Sequence, residues 1–425
     1  MQGNPLAVMI ERGCVEWCSH AEELSTLFGK EMVTGYIGFD PTADSLHVGH
    51  LIPMMGLAWM QRFGHRPIAI AGVGTGLIGD PSGKSKERNL LTLEQVEQNV
   101  VTVQEQLARF LDFDCGINSA LIINNYDWLG KQNLIEFLRD TGKHFSINYM
   151  MGREYVKSRL DDPEKSISYT EFSYMLLQAF DFCHLFENFG CKLQMGGNDQ
   201  QGNIIAGIDL IRKKAGGQAF GTTYPLLLSA SGQKFGKTEG GTVWLSPERT
   251  SPYKFYQFWI NTDDRDIDKL LKLFTFLSMD DIVKIMEQHV SRPESRGGQR
   301  RLAMEVTSMV HGDQAARAAE RASAILFGEG FEPSELTPEM LGILMGEVPA
   351  GVFSDSAMSL AFDVLAESGA CSSKSEARRL IQGGGVYLNG RRLDASGEIG
   401  ADDLLEGRHL FFRLGKKRFF AATKV

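Results

Sequence analysis

The stretch GYIGFDPTADSLHVGHLIPMMGLAWMQRFGHRPIAIAG, residues 35–72, decides the fold. It opens on a short apolar run, GYIGFD (35–40), passes through a polar loop into the helical period VGHLIPMMGLAWMQRF (48–63), and returns to a second apolar run, PIAIAG (67–72). Strand, helix and strand in that order form the repeating unit of a parallel sheet covered by helices. Working outward, ALIINN (120–125) and CKLQMG (191–196) read as further strands. TLEQVEQNVVTVQEQLARFL (92–111) and TEFSYMLLQAFDFCHLFENFG (170–190) read as helices, and 126–165 as an inserted helical segment. The predicted class is α/β, a doubly wound, Rossmann-like parallel sheet over 1–244. After Trp244 the pattern turns wholly helical, giving an α-helical domain over 245–345. Pro, Gly and Ser without periodicity mark a linker at 346–357, and 358–425 forms a small α+β domain.

Composition bounds the function. The chain has 425 residues, of which 43% are hydrophobic and 23% charged, so neither wholesale disorder nor a fibrous repeat is expected. No apolar run approaches the roughly 18–20 residues of a membrane span, and the first residues carry no basic-then-apolar leader; the expectation is a cytoplasmic protein with no membrane partner. Six cysteines without C-x-x-C spacing point to reduced thiols, with Cys14 and Cys18 placed together on an amphipathic helix. The net charge is −9, yet the segment from Ala357 to Val425 holds eleven Lys and Arg against eight Asp and Glu. An acidic body and a basic tail meet different partners.

Four elements could carry chemistry. His47 and His50 stand three residues apart at a helix start, where backbone N–H groups and the helix dipole attract phosphate oxygens. Gly49 between them would let a flat ring approach the backbone, although two surface histidines in a tight turn would leave the same trace. Lys234-Phe235-Gly236-Lys237-Thr238, among Gly232, Gly240 and Gly241, suits a clamp on polyphosphate. Tyr174, Gln178 and Asp181 form the polar stripe of an otherwise apolar helix, facing either a ligand cavity or a satisfied internal network. Asp199, in GGNDQ (196–200), could hold a ribose or an ammonium, or cap the following helix. The sequence Gly74-Thr75-Gly76-Leu77-Ile78-Gly79 matches a dinucleotide fingerprint. That reading is rejected, because Asp80-Pro81-Ser82-Gly83 is expected to forbid the helix a nicotinamide-dependent oxidoreductase would need there.

Taken together, H-V-G-H and K-F-G-K-T are variants of the HIGH and KMSKS signatures of class I aminoacyl-tRNA synthetases. With GFDPTADSLHVGH, TGLIGDPSGK, NNYDW, Y-x-x-x-Q-x-x-D, GGNDQ and TSPYKFYQFWIN, the chain from about Glu22 onward resembles the bacterial tyrosyl-tRNA synthetases. The tail stretch SEARRLIQGGGVYLNG (375–390) is similar to a small RNA-binding domain of a ribosomal small-subunit protein. There Lys374, Arg378, Arg379, Arg391 and Arg392 would offer RNA phosphates a basic face.

The resemblance implies a function: ATP-dependent attachment of L-tyrosine to tRNA(Tyr) through a tyrosyl-adenylate, by a homodimer. ATP would enter as substrate with Mg2+, and no tightly bound cofactor or dedicated metal site is expected. His47, His50, Thr42, Lys234, Lys237 and Thr238 would serve the triphosphate, with Lys84 and Arg88 behind Asp80. Tyr36 and Asp181 would bind the phenol. Asp80, Tyr174 and Gln178 would take the ammonium, and Gln200 the carboxylate. Gly38, Asp40, Gly49, Gly197 and Asp199 would line the ATP site. Ile37, Asn198 and Gln201 depart from the family pattern, Ile37 being unable to donate to a ribose. The alternatives are a tryptophanyl-type synthetase, against which Tyr36 with Asp181 suits a phenol, and an RNA-binding protein with an inactive synthetase domain, against which both signatures stand intact.

Overall fold

The structure is a computed structural model that describes every residue except 1–2, 83–91, 163–165, 229, 231, 233–234, 239–240, 328–330, 333–334 and 416–417. Its packing divides the chain into two compact units, Met1–Thr250 with Thr262–Leu302, and Ser251–Asn261 with Ala303–Val425.

The first unit is built on a six-stranded sheet. In spatial order its strands are Trp17–Cys18, Phe220–Tyr224, Cys191–Gly197, Thr34–Phe39, Arg66–Ala71 and Leu121–Asn124, all parallel except the first. The four strands expected from the sequence form within one or two residues of their predicted ends. Arg66–Ala71 is buried at every position after the first, as a strand covered on both faces must be. From Thr34–Phe39 the chain winds outward to Leu121–Asn124 on one side, then returns to place Cys191–Gly197 on the other. The winding thus reverses between the neighbouring strands Thr34–Phe39 and Cys191–Gly197, whose carboxyl ends open the crevice where doubly wound sheets bind ligands. The long helix Tyr169–Phe189 lies on this sheet. Ser168 and Glu171 close its start as a reciprocal cap, and Gly190 ends it in the left-handed region at φ 60°.

Several expectations change. Cys14 and Cys18 share no helix: the first helix, Pro5–Glu11, stops before Gly13 at φ 71°, and Cys18 lies in the short edge strand. Val73–Ile78 is a short helix, not a loop, despite the glycines it contains. Gly74 N–H is taken by Asn125 Oδ1 at 2.8 Å from outside the helix, and Gly76 N–H by the Gly72 carbonyl within it.

The helices after Trp244 are shared between the two units. Ile267–Phe274 belongs to the first unit, where Arg12, 4% exposed, donates to the carbonyl of Lys272 in its last turn and to those of Thr275 and Leu277 just beyond it. In the second unit the stretch expected as a linker, 346–357, contains strand Ala350–Phe353. That strand pairs parallel with Arg418–Lys424 at the edge of a five-stranded sheet whose core holds Phe353, Leu388, Leu410 and Phe412. Among the described residues no helix is long and apolar enough to cross a membrane.

Candidate active site

The two histidines cap each other. His47 Nδ1 accepts from Gly49 N–H at 3.1 Å, His50 Nδ1 accepts from His47 N–H at 3.1 Å, and the rings lie 4.0 Å apart. A side chain on Gly49 would strike the His47 imidazole at 2.8 Å, so the ring this glycine admits is that of His47 itself. Both Nδ1 atoms are acceptors, which puts the proton of a neutral ring on Nε2. Burial, helped by His47, pushes His50 down to about 3, so His50 is neutral at physiological pH. The backbone amides expected to meet phosphate are thus occupied, and the imidazoles carry the donors.

The second signature reaches the first through backbone. Val48 N–H donates to the Val243 carbonyl, Leu245 N–H to Leu46, and Val243 N–H to Gly236 at 3.1 Å. Gly236, at φ 84°, lies so close to Val48 that a Cβ would sit 2.4 Å from Val48 Cγ2. This contact joins H-V-G-H to K-F-G-K-T across almost 190 positions of sequence. The backbone of Lys237–Thr238 pairs with Gly241–Thr242. The side chains of Lys237 and Thr238, and all of Lys234, Lys84 and Arg88, lie outside the described residues. Thr42 is exposed, its N–H on the Asp40 carbonyl.

Deeper in the crevice two hydrogen-bond chains assemble. In one, Asp181 accepts from Asn125 Nδ2 at 2.9 Å and from Trp128 Nε1 at 2.6 Å. Asn125 also donates to Thr75, Thr75 donates to Asp40 at 3.0 Å, and the Tyr174 hydroxyl donates to the other oxygen of Asp40 at 3.4 Å. In the second chain, Gln200 Nε2 donates to Asp80 at 2.6 Å, and Asn203 Nδ2 donates to Gln178 at 3.0 Å and to Gln200 at 3.3 Å. The polar stripe of helix Tyr169–Phe189 is therefore tied into networks at all three positions. Burial drives Asp181 up to about 7 against the opposing pull of Asn125 and Trp128.

Tyr36 is 2% exposed, and its hydroxyl has no hydrogen-bond partner among the described residues. Burial, with Asp181 adding to it, raises its pKa well above the ordinary value. Gln194 stands directly opposite Tyr36 in the sheet, and its Oε1 is likewise buried without a partner. Register partners project to the same face, so two buried polar atoms without hydrogen-bond partners among the described residues lie on one side of the sheet. Sequence reasoning missed Gln194, Asn125, Trp128 and Asn203. NNYDW and the strand CKLQMG contained three of them, but only tertiary packing turns them inward.

Gly38 faces open space at the end of its strand, and Gly197 is held against Asp199 Oδ1. Asp199 is exposed, and Gln200, which stands at the cap position of helix Gln201–Leu210, makes no side-chain cap bond. Asn198 accepts from Thr223 at 3.3 Å, and Ile37 is buried at 3%. No group of three or more His, Cys, Asp or Glu able to hold a metal occurs among the described residues.

In the tail, all five basic residues are exposed. Lys374 pairs with Asp363 at 2.7 Å, Arg378 lies over the Phe362 ring, Arg391 pairs with Asp403 and Arg392 donates to the Gly384 carbonyl. Lys374, Arg378 and Arg379 lie on the helix Lys374–Gln382, whereas Arg391 and Arg392 lie not in the turn that follows it but in a short strand paired with Val386–Leu388.

Residues 30–328 match the family of class I tRNA synthetases of the W and Y type, and residues 341–422 match a tyrosine–tRNA ligase C-terminal domain. The tyrosine–tRNA ligase of Roseiflexus castenholzii is 50% identical over 94% of this chain and 95% of its own length. That of Geobacillus stearothermophilus is 50% identical over 98% of each chain. Among solved structures, a C-terminally truncated mitochondrial tyrosyl-tRNA synthetase of Aspergillus nidulans superposes with TM-score 0.70 at 32% identity, covering 76% of this chain and 94% of that one.

Proposed function

The chain belongs to the class I tRNA synthetases of the tryptophanyl and tyrosyl type, and from that premise we infer that it joins L-tyrosine to tRNA in two ATP-dependent steps. The observation that carries the choice of tyrosine is the pocket floor. There the hydroxyl of Tyr36, without a partner among the described residues, and the acid of Asp181 are both buried, and Asp181 adds to the rise in the Tyr36 pKa. A phenol donates to Asp181 and accepts from Tyr36; an indole or a bare phenyl ring leaves one or both unpaired.

In the first step the tyrosine carboxylate attacks the α-phosphorus of ATP, forming tyrosyl-adenylate and releasing pyrophosphate. In the second, a hydroxyl of the terminal ribose of tRNA attacks the activated carbonyl and AMP leaves. No protein nucleophile is needed; the chain positions the reactants and neutralises charge as it develops. The Nε2 donors of His47 and His50 serve the phosphates, joined by Thr42, Lys234, Lys237 and Thr238 and by Lys84 and Arg88. Asp80, Tyr174 and Gln178 bind the ammonium, Gln200 faces the carboxylate, and Gly38, Asp40, Gly49, Gly197 and Asp199 receive the nucleotide. Magnesium accompanies ATP as part of the substrate.

The helical stretch 245–345 and the tail 358–425, with Lys374, Arg378, Arg379, Arg391 and Arg392, contact tRNA(Tyr) in a cytoplasmic homodimer. Exposed apolar side chains on the inserted helices support the dimer: Leu134 and Ile135 are each 68% exposed, an unusual pairing for a surface that meets only water. The test is amino-acid-dependent exchange of pyrophosphate into ATP with each of the twenty amino acids. Only tyrosine is expected to support it; exchange driven by tryptophan instead would overturn the reading.

A further inference from the structure

The loop that carries the second signature is tied down at both ends, and the two ties differ. Beyond Gly236 it is held by the backbone ladder to the histidine segment described above. Before Gly236 it is held by a turn far along the chain: Ala230 N–H donates to Asp266 Oδ2 at 2.9 Å, and the Phe235 ring stacks on Phe274, at 5.7 Å and 17°. Phe274 is 1% exposed, at the end of helix Ile267–Phe274.

The turn Asp264–Asp266 that presents this carboxylate is itself rigidly mounted. Asp263 caps it through Arg265 N–H at 2.9 Å. Asp264 Oδ1 accepts from Gln299 and lies 3.3 Å from His289 Nε2, and these two side chains are only 1% and 3% exposed. Three carboxylates in four residues thus have three separate jobs: one shapes the turn, one anchors it to buried side chains of two helices, and the third reaches the loop. An ionised acceptor makes a stronger bond to an amide than a neutral one, and this bond, exposed to solvent, is what attaches Ala230 in an otherwise glycine-rich segment.

We propose that Asp266 is a positioning residue for adenylate formation. By fixing Ala230 it sets the base of the loop from which Lys237 acts, while Phe274 fixes the same loop through Phe235. The inference rests on the reading of that loop as the pyrophosphate clamp. A carboxylate that merely satisfies a surface amide predicts the same distance but no kinetic consequence.

Single-turnover adenylate formation and equilibrium tyrosine binding distinguish the two in the full-length protein, using Asp266→Ala, Asp266→Asn, Lys237→Ala and the Asp266→Ala/Lys237→Ala double variant. Asp266→Ala is expected to slow adenylate formation about tenfold at saturating substrates, from the loss of one charge-assisted hydrogen bond. Tyrosine affinity should stay within about twofold, which also reports that the variant is folded. Asp266→Asn, which keeps an acceptor oxygen, should recover most of the rate. Because the effect passes through the loop, the loss should shrink to about twofold or less when Lys237 is already Ala. Parental rate in Asp266→Ala, or a full tenfold loss persisting beside Lys237→Ala, would overturn the proposal alone. Parental rate in Lys237→Ala would overturn the clamp reading and this inference with it.

Discussion

Replacing Trp128 by Phe tests the electrostatics of the pocket with little change of shape. The indole stacks on His184 with ring centres 4.4 Å apart, and a phenyl ring keeps much of that packing. What it removes is the donor 2.6 Å from Asp181 Oδ1, one of two bonds that hold the acid's pKa near 7 against burial. A hydrogen bond to a charged group contributes about 1.5–3 kcal/mol, or roughly one to two pKa units, so Asp181 in the variant should titrate near 8–9. If the phenol of tyrosine donates to the ionised acid, affinity follows the ionised fraction. At pH 7.5 that fraction drops from about three-quarters to between about one-quarter and a few per cent, a loss of roughly 3- to 25-fold. Titrating the parent and Trp128→Phe with tyrosine from pH 6.5 to 8.5 should show the gap between them narrowing as pH rises. Comparing the two at each pH cancels the titration of the ligand's own ammonium. Equal affinities, or a deficit of the same size at every pH, would refute the claim that Asp181 binds the substrate as an anion.

Lys237→Ala should lower the rate of adenylate formation about 10²-fold or more, the size of a lost oxyanion donor, with tyrosine binding barely changed in equilibrium titrations. Ending the chain after Glu347, ahead of the strand Ala350–Phe353, should leave tyrosine-dependent pyrophosphate exchange largely intact while charging of tRNA collapses and loses its steep salt dependence. Loss of exchange in that folded product would make the tail part of the catalytic machinery. The acid at Asp181 also predicts a stability profile. Its folded pKa, about 7, lies above its ordinary 3.8, so the folded state holds the proton more tightly and stability falls as pH rises between about 4 and 7, then levels off. Asp181→Asn should lack that component, and denaturant unfolding from pH 5 to 8 should show the variant gaining on the parent as pH rises; a constant difference would mean that the buried acid does not titrate there.

The α/β class and four of the six strands, Thr34–Phe39, Arg66–Ala71, Leu121–Asn124 and Cys191–Gly197, were legible in the sequence because they depend on neighbours: apolar runs of strand length, helical periods and glycines at strand ends are local signals. The two signatures were legible for the same reason, each being a short run of chemically unusual residues. Other features depended on partners distant in the chain. Phe220–Tyr224, with a glycine and two threonines, becomes a strand because Cys191–Gly197 offers it an edge. Ala350–Phe353 reads as a linker until Arg418–Lys424 pairs with it. Strand order alone sets Tyr36 beside Gln194, and packing of Leu121–Asn124 and the following turn brings Asn125 and Trp128 onto Asp181, more than fifty residues away. The sequence by itself determined which groups were available for the chemistry. The tertiary structure decided which of them are buried together, and so which acid has its pKa displaced, because desolvation and hydrogen bonding act through space and not along the chain.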